Sequence, residues 1–179
     1  MNSETALERL NYYHGQLLSA SELQAEQDYF LARLRRHNRY LHGWGVVSGL
    51  AVSMASSSEI VVEPGFAIDC LGNEIHVCKQ SRLKVPSAPE LQFVVVEYSE
   101  TRISPVPVFL SAEDPAGEAL AFTRILEGFR IDIVDIDPTT DHRGQGAGTP
   151  GCGCDHPVCI ASLRKSRRSW KVEQLGRRV

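Results

Sequence analysis

The sequence predicts an α+β fold: one long N-terminal amphipathic helix, then a mostly antiparallel β domain, sandwich or barrel-like. Two observations point there. Leu23, Phe30, Leu34 and Leu41 recur at spacings of seven, four and seven, which marks one face of a helix. Beyond Trp44 the period changes, and short Val/Ile-rich segments broken by Gly, Pro and Asn read as consecutive strands. The 179 residues, 42% apolar and 23% charged, suit one globular core with an appendage and argue against disorder throughout.

The helix opens at Ser19, which with Glu22 has the S-x-x-E spacing of a capping box. Glu22, Glu26 and Asp28 lie in its first half, and Arg33, Arg35, Arg36 and Arg39 in its last turns, an order that suits the helix dipole. Gly43 supplies the stop, so the helix is expected from about Ser19 to Leu41. Its apolar stripe must be buried, against the β domain or against a neighbouring subunit.

The next stretch, HNRYLHGWGVVSGL at 37–50, places the bulkiest aromatic between two glycines where helix becomes strand. It reads as a rigid corner. Gly43 and Gly45 accept backbone conformations closed to other residues. Trp44 can then swing into the groove between helix and sheet, burying about 150–250 Å2. Tyr29, His37, Asn38, Arg39, His42, Gly43, Trp44 and Gly45 are the candidate residues of this corner and of an interface built on it.

GVVSGLAVS, EIVVEPGFAIDC and NEIHVC each read as a strand, the last two joined by a hairpin turn at Leu71-Gly72-Asn73. Further strands are expected at 82–85, 92–98, 106–110, 129–135, 158–163 and 169–174. SAEDPAGEALAF reads as a loop or a short helical turn, and residues 138–151, with four glycines and two prolines, as a mobile loop. The expected organisation is an N-terminal segment and helix (1–45), a β domain (46–137), a Gly/Pro/Cys-rich loop (138–157), and C-terminal strands with a basic tail (158–179) belonging to the same domain.

A net charge of −3 gives no general affinity for nucleic acid. The C-terminal stretch is nonetheless basic: Arg164, Lys165, Arg167, Arg168, Lys171, Arg177 and Arg178 against Glu173. It reads as a solvated strand and terminus, or as a surface for an acidic partner or nucleic acid. No apolar run is long enough to cross a bilayer, and MNSETALERL lacks a signal-peptide core, so synthesis in the cytoplasm and no membrane insertion are expected.

Catalytic patterns are missing. There is no HExxH, Walker loop or GxSxG, and no nucleophile–base–orienter set can be assembled. His37 and His42 are five apart, off the i, i+4 spacing of a shared helix face. Asp132, Asp135 and Asp137 read as a solvent face and turn rather than a cation site. Tyr12, Tyr13 and His14 are either a recognition surface or a staple to the core. Coordination chemistry is confined to GCGCDHPVC, where Cys152, Cys154, His156 and Cys159 are soft and borderline ligands suited to structural zinc. Four ligands within eight residues are cramped, so three of them completed by Cys70, Cys78 or another chain is an equal reading. Reduced thiols and a disulfide are the alternatives. Cys70 and Cys78 flank the hairpin and read as core residues.

The run from NYYHGQLLSASELQAEQDYFLARLRRHNRYLHGWGVVSGLAV to IVVEPGFAIDCLGNEI resembles proteins of phage-tail-like contractile injection systems. The likeness lies in Gly15-Gln16-Leu17-Leu18, Glu26-Gln27-Asp28-Tyr29, His37-Asn38-Arg39, His42-Gly43, Gly45-Val46-Val47, Gly49-Leu50, Pro64-Gly65, Asp69 and Gly72. YSETRISPVPV and RILEGFRIDIV share it, and the first fifty residues are faintly similar to the shoulder of the type VI secretion baseplate subunit and of phage receptor-binding proteins. The resemblance implies a non-enzymatic structural part of such a particle. The part would be in the baseplate or a baseplate-to-fibre adaptor, touching other baseplate or tail proteins and copies of itself. A receptor- or glycan-binding fibre module and a small zinc-dependent enzyme are the rival expectations.

Overall fold

The computed structural model describes residues 6–108, 119–142, 149–167, 169–176 and 179. Helix α1 (Ala20–His37) begins where the capping pattern places it: the Ser19 hydroxyl accepts from the Glu22 amide at 3.3 Å, and the Glu22 carboxylate accepts from the Ser19 amide at 2.8 Å. The α geometry ends at His37, short of Leu41. Asn38–His42 widen into a π turn, closed by the Gly43 amide donating to Asn38 O at 2.9 Å. Gly43 and Gly45 then take φ of 83° and 131°, and the chain enters strand.

The strands are β1 (Gly45–Gly49), β2 (Val52–Ser56), β3 (Glu59–Val62), β4 (Gly65–Ile68), β5 (Glu74–Val77), β6 (Ser81–Lys84), β7 (Leu91–Val108), β8 (Ala119–Val134), β9 (Val158–Ser166) and β10 (Ser169–Gln174). They form three antiparallel sheets, ordered β1-β4-β5, β2-β3-β6 and β10-β9-β7-β8. The architecture is α+β, as the change of period predicts.

Two expected strands are each divided. GVVSGLAVS yields β1 and β2, and EIVVEPGFAIDC yields β3 and β4, with the halves in different sheets. The divisions touch: the Leu50 amide donates to Pro64 O at 3.2 Å, and a Cβ on Gly49 would lie 2.1 Å from that oxygen. Elsewhere two expected strands are one. Segments 92–98 and 106–108 are continuous in β7, which runs through Pro105 and Pro107. Beyond Val96, β7 is no longer paired with β9, so that edge needs no N–H donors and tolerates proline. Residues 119–122, expected in a loop, open β8; residues 109–118, and 143–148 of the expected mobile loop, lie outside the described residues.

The core lies between the two small sheets and one face of the large one. Val46, Leu50, Ile60, Val62, Ile75 and Val77 meet Val94, Val96, Val158, Ile160 and Leu163. Alternation along the strands sends Phe93, Val95 and Cys159 into a second cluster with Val134. The small sheets are sealed by late residues. The Gln174 side chain donates to Val52 O at 2.6 Å and accepts from Val52 N at 3.2 Å, and Gly176 packs on Val46. The distal part of the β7–β8 hairpin leaves this core and exposes Leu120, Phe122, Ile125 and Leu126. No helix among the described residues is long and apolar enough to cross a membrane.

Candidate functional site

The end of α1 is docked on the β4–β5 turn. Asp69 shapes that turn, its carboxylate accepting from the amides of Leu71 and Asn73 and from Asn73 Nδ2 at 2.7–2.9 Å. Burial raises the Asp69 carboxyl above its usual range in spite of these donors. Gly72 takes φ of 89° at the tip, where an added Cβ would lie 2.2 Å from Arg35 O. Asn38, 4% exposed, donates from Nδ2 to Gly72 O at 3.0 Å and Glu74 Oε1 at 3.3 Å, while Arg35 Nε donates to Asn73 Oδ1 at 2.6 Å. Helix and hairpin tip are thus joined by directional polar contacts, one of them buried and made to backbone, which fix an angle more sharply than apolar packing does.

The candidate corner residues divide. Asn38, Gly43, Trp44 and Gly45 are buried in the corner, and Arg39 reaches over the cysteine loop, donating to Gly151 O at 3.4 Å. Trp44 is 5% exposed and lies edge-on to His142, ring centroids 4.8 Å apart. Tyr29 sits farther up α1, edge-on to Phe30. His37 and His42 are exposed, yet their rings lie 5.3 Å apart, contrary to the helical spacing argument. The π turn is the reason: its i to i+5 bonding stacks residues five apart.

Beside Trp44 four potential ligands converge. Cys70 in the β4–β5 turn, His142 in the 3-10 turn Thr140–His142, and Cys152 and His156 in the loop before β9 each offer a ligand atom, and these atoms lie within 4.8 Å of one another. Cys152 and His156 belong to the sequence motif. Cys154 is exposed and outside the set, and Cys159 is buried with Phe93 and Val95, its Sγ 3.7 Å from Ala161 O. Cys70, one of the residues named to complete the site, is present; Cys78 is exposed beyond the other end of the β4–β5 hairpin. His142 gives no local signal in sequence. Burial pushes the Cys70 thiol up to about 12, and hydrogen bonding to Cys152 raises Cys154. Among the acids, Asp132 and Asp135 are exposed, whereas Asp137 is buried and caps a turn through Thr139.

The outer face of α1 is open. None of its residues is buried, and Leu23, Phe30 and Leu34 are 49%, 56% and 45% exposed. Its stripe faces the hairpin across a groove of about 700 Å3 lined by Phe30, Leu31, Leu34, Ile125 and Leu126, bridged at one end by Arg35 and Glu100 at 3.8 Å. Tyr12 turns toward α1, its hydroxyl donating to Glu26, and Tyr13 is exposed, so neither is stapled to the core.

The sequence matches no protein-family profile and no curated protein. The fold does have relatives. A chain of the type VI secretion system TssK-TssF-TssG baseplate subcomplex superposes with a TM-score of 0.51 at 11% identity, over 94% of this chain and 60% of that one. The crystal structure of TssK superposes with a TM-score of 0.53 at 11% identity, over 96% of this chain and 42% of that one. This chain therefore spans about half the length of those solved chains, and what it shares with them is the fold of type VI baseplate proteins.

Proposed function

We propose that this protein is a non-enzymatic structural component of a phage-tail-like contractile injection particle, in the baseplate or as a baseplate-to-fibre adaptor. The observation that carries the reading is α1. It is an amphipathic helix with no buried residue, docked at its C-terminal end and carrying an exposed apolar stripe of Leu23, Phe30 and Leu34 along its free length. A contiguous apolar surface of that kind, extended by the distal hairpin, is what a protein shows when an assembly partner is taken away. The shared fold of TssK and the resemblance in residues 14–75 support the same reading, with other particle proteins and further copies of this chain as partners.

The test is association. Mass photometry of the full chain, alone and mixed with the baseplate and tail proteins of its own particle, is expected to give a stable oligomer or complex. Leu34→Glu is expected to abolish that association while changing unfolding free energy by no more than about 0.5 kcal/mol, because the side chain is half exposed. A clean monomer that binds none of those proteins sinks the proposal.

A further inference from the structure

We infer that Cys70, His142, Cys152 and His156 hold one structural zinc ion, which ties three segments remote in sequence to the corner at Trp44. Two thiolates and two imidazoles in a tetrahedral set suit zinc. Zinc–sulfur bonds of about 2.3 Å and zinc–nitrogen bonds of about 2.0–2.1 Å put sulfur about 3.6 Å from nitrogen and about 3.8 Å from sulfur in a tetrahedron. Cys70 Sγ lies 3.6 Å from His142 Nδ1, and Cys152 Sγ lies 3.3 Å from His156 Nε2. With all four donors inside 4.8 Å, closing on a central ion takes movements of about 1 Å or less.

The surroundings are arranged for the same end. Pro157 O can only accept, so its 3.1 Å bond with His156 puts the proton of the neutral imidazole on Nδ1 and leaves the Nε2 lone pair toward Cys152. The Cys154 amide donates to Cys152 Sγ at 3.3 Å, which holds that sulfur in place within the loop. Gly151 presses against the turn, where a Cβ would come 2.6 Å from Cys70 Cα, so backbone packing alone delivers the loop to Cys70. The His142 and His156 rings, 4.7 Å apart, are turned toward one region. Four protein donors leave no open coordination position, which makes the ion structural and not catalytic. Its binding releases the two thiol protons to solvent.

Elemental analysis of the full chain purified under reducing conditions is expected to give about one zinc per chain. Cobalt substitution is expected to give a tetrahedral spectrum with charge-transfer intensity for two thiolates, and to quench Trp44 fluorescence. Cys152→Ser at an exposed position and His156→Ala at a half-buried one, both in the loop before β9, are expected to weaken zinc binding by more than about tenfold in a chelator competition. Cys154→Ser and Cys78→Ser are expected to leave it unchanged. The inference is overturned if the reduced wild-type chain takes up no zinc on titration, or if a Cys70–Cys152 disulfide is found instead. It is overturned equally if Cys154→Ser loses the ion while Cys152→Ser keeps it.

Discussion

Replacing Gly72 by Ala tests whether the helix and the β4–β5 turn are held at a fixed angle. Two costs meet at this residue. A φ of 89° costs a side-chain-bearing residue about 1–2 kcal/mol. The new methyl would also lie 2.2 Å from Arg35 O, a backbone atom that can move only if the end of α1 moves with it. Overpacking of that kind adds about 1–3 kcal/mol. The expected loss is about 2–5 kcal/mol, measured by urea unfolding of the full chain with an unchanged denaturant slope. Gly15 provides the control: its φ is 84°, but nothing lies within 4 Å of its added Cβ, so Gly15→Ala carries only the conformational cost of about 1–2 kcal/mol. If the two variants lose equal stability, the close approach of helix and turn is not a constraint, and the rigid corner fails as an explanation.

Two further outcomes follow from the same geometry. Trp44→Ala, which empties the buried wall beside His142, is expected to cost about 3–5 kcal/mol in urea unfolding, and Trp44→Phe to recover much of it. Glu22 is held below its usual carboxyl value of 4.5, first by the Ser19 amide and then by Gln16. Its cap therefore stabilises α1 above that value and is lost as pH falls through the folded value. Far-UV circular dichroism is expected to show helix fraying on acidification below about pH 4.5 that is weaker in Glu22→Gln.

What could be read from sequence was what local chemistry decides. Ser19 and Glu22 satisfy each other within one turn, so the helix start was visible; the turn at Leu71–Asn73 was visible for the same reason. The π turn was not, because Asn38 is drawn toward Gly72 by a contact thirty-four residues away, and nothing in NRYLH announces it. Sheet membership was equally hidden. Val and Ile mark a buried strand without saying which sheet receives it, so the divisions at Leu50 and Pro64 do not appear in the apolar pattern. The cysteine loop was half legible. Cys152 and His156 stood out by type and spacing and Cys70 was one of the residues named to complete them, but His142 arrives through tertiary structure. Period-two alternation from Val158 carries Cys159 to the opposite face of β9, a separation that could have been drawn from the strand pattern alone.

The seal that Gln174 and Gly176 place on β1 and β2 makes the completion of the small sheets depend on the C-terminal strands. The open edge of those strands and the apolar side of Val46 are covered by residues more than a hundred positions later in the sequence. Until those residues are made, a growing chain leaves that edge and that apolar side uncovered.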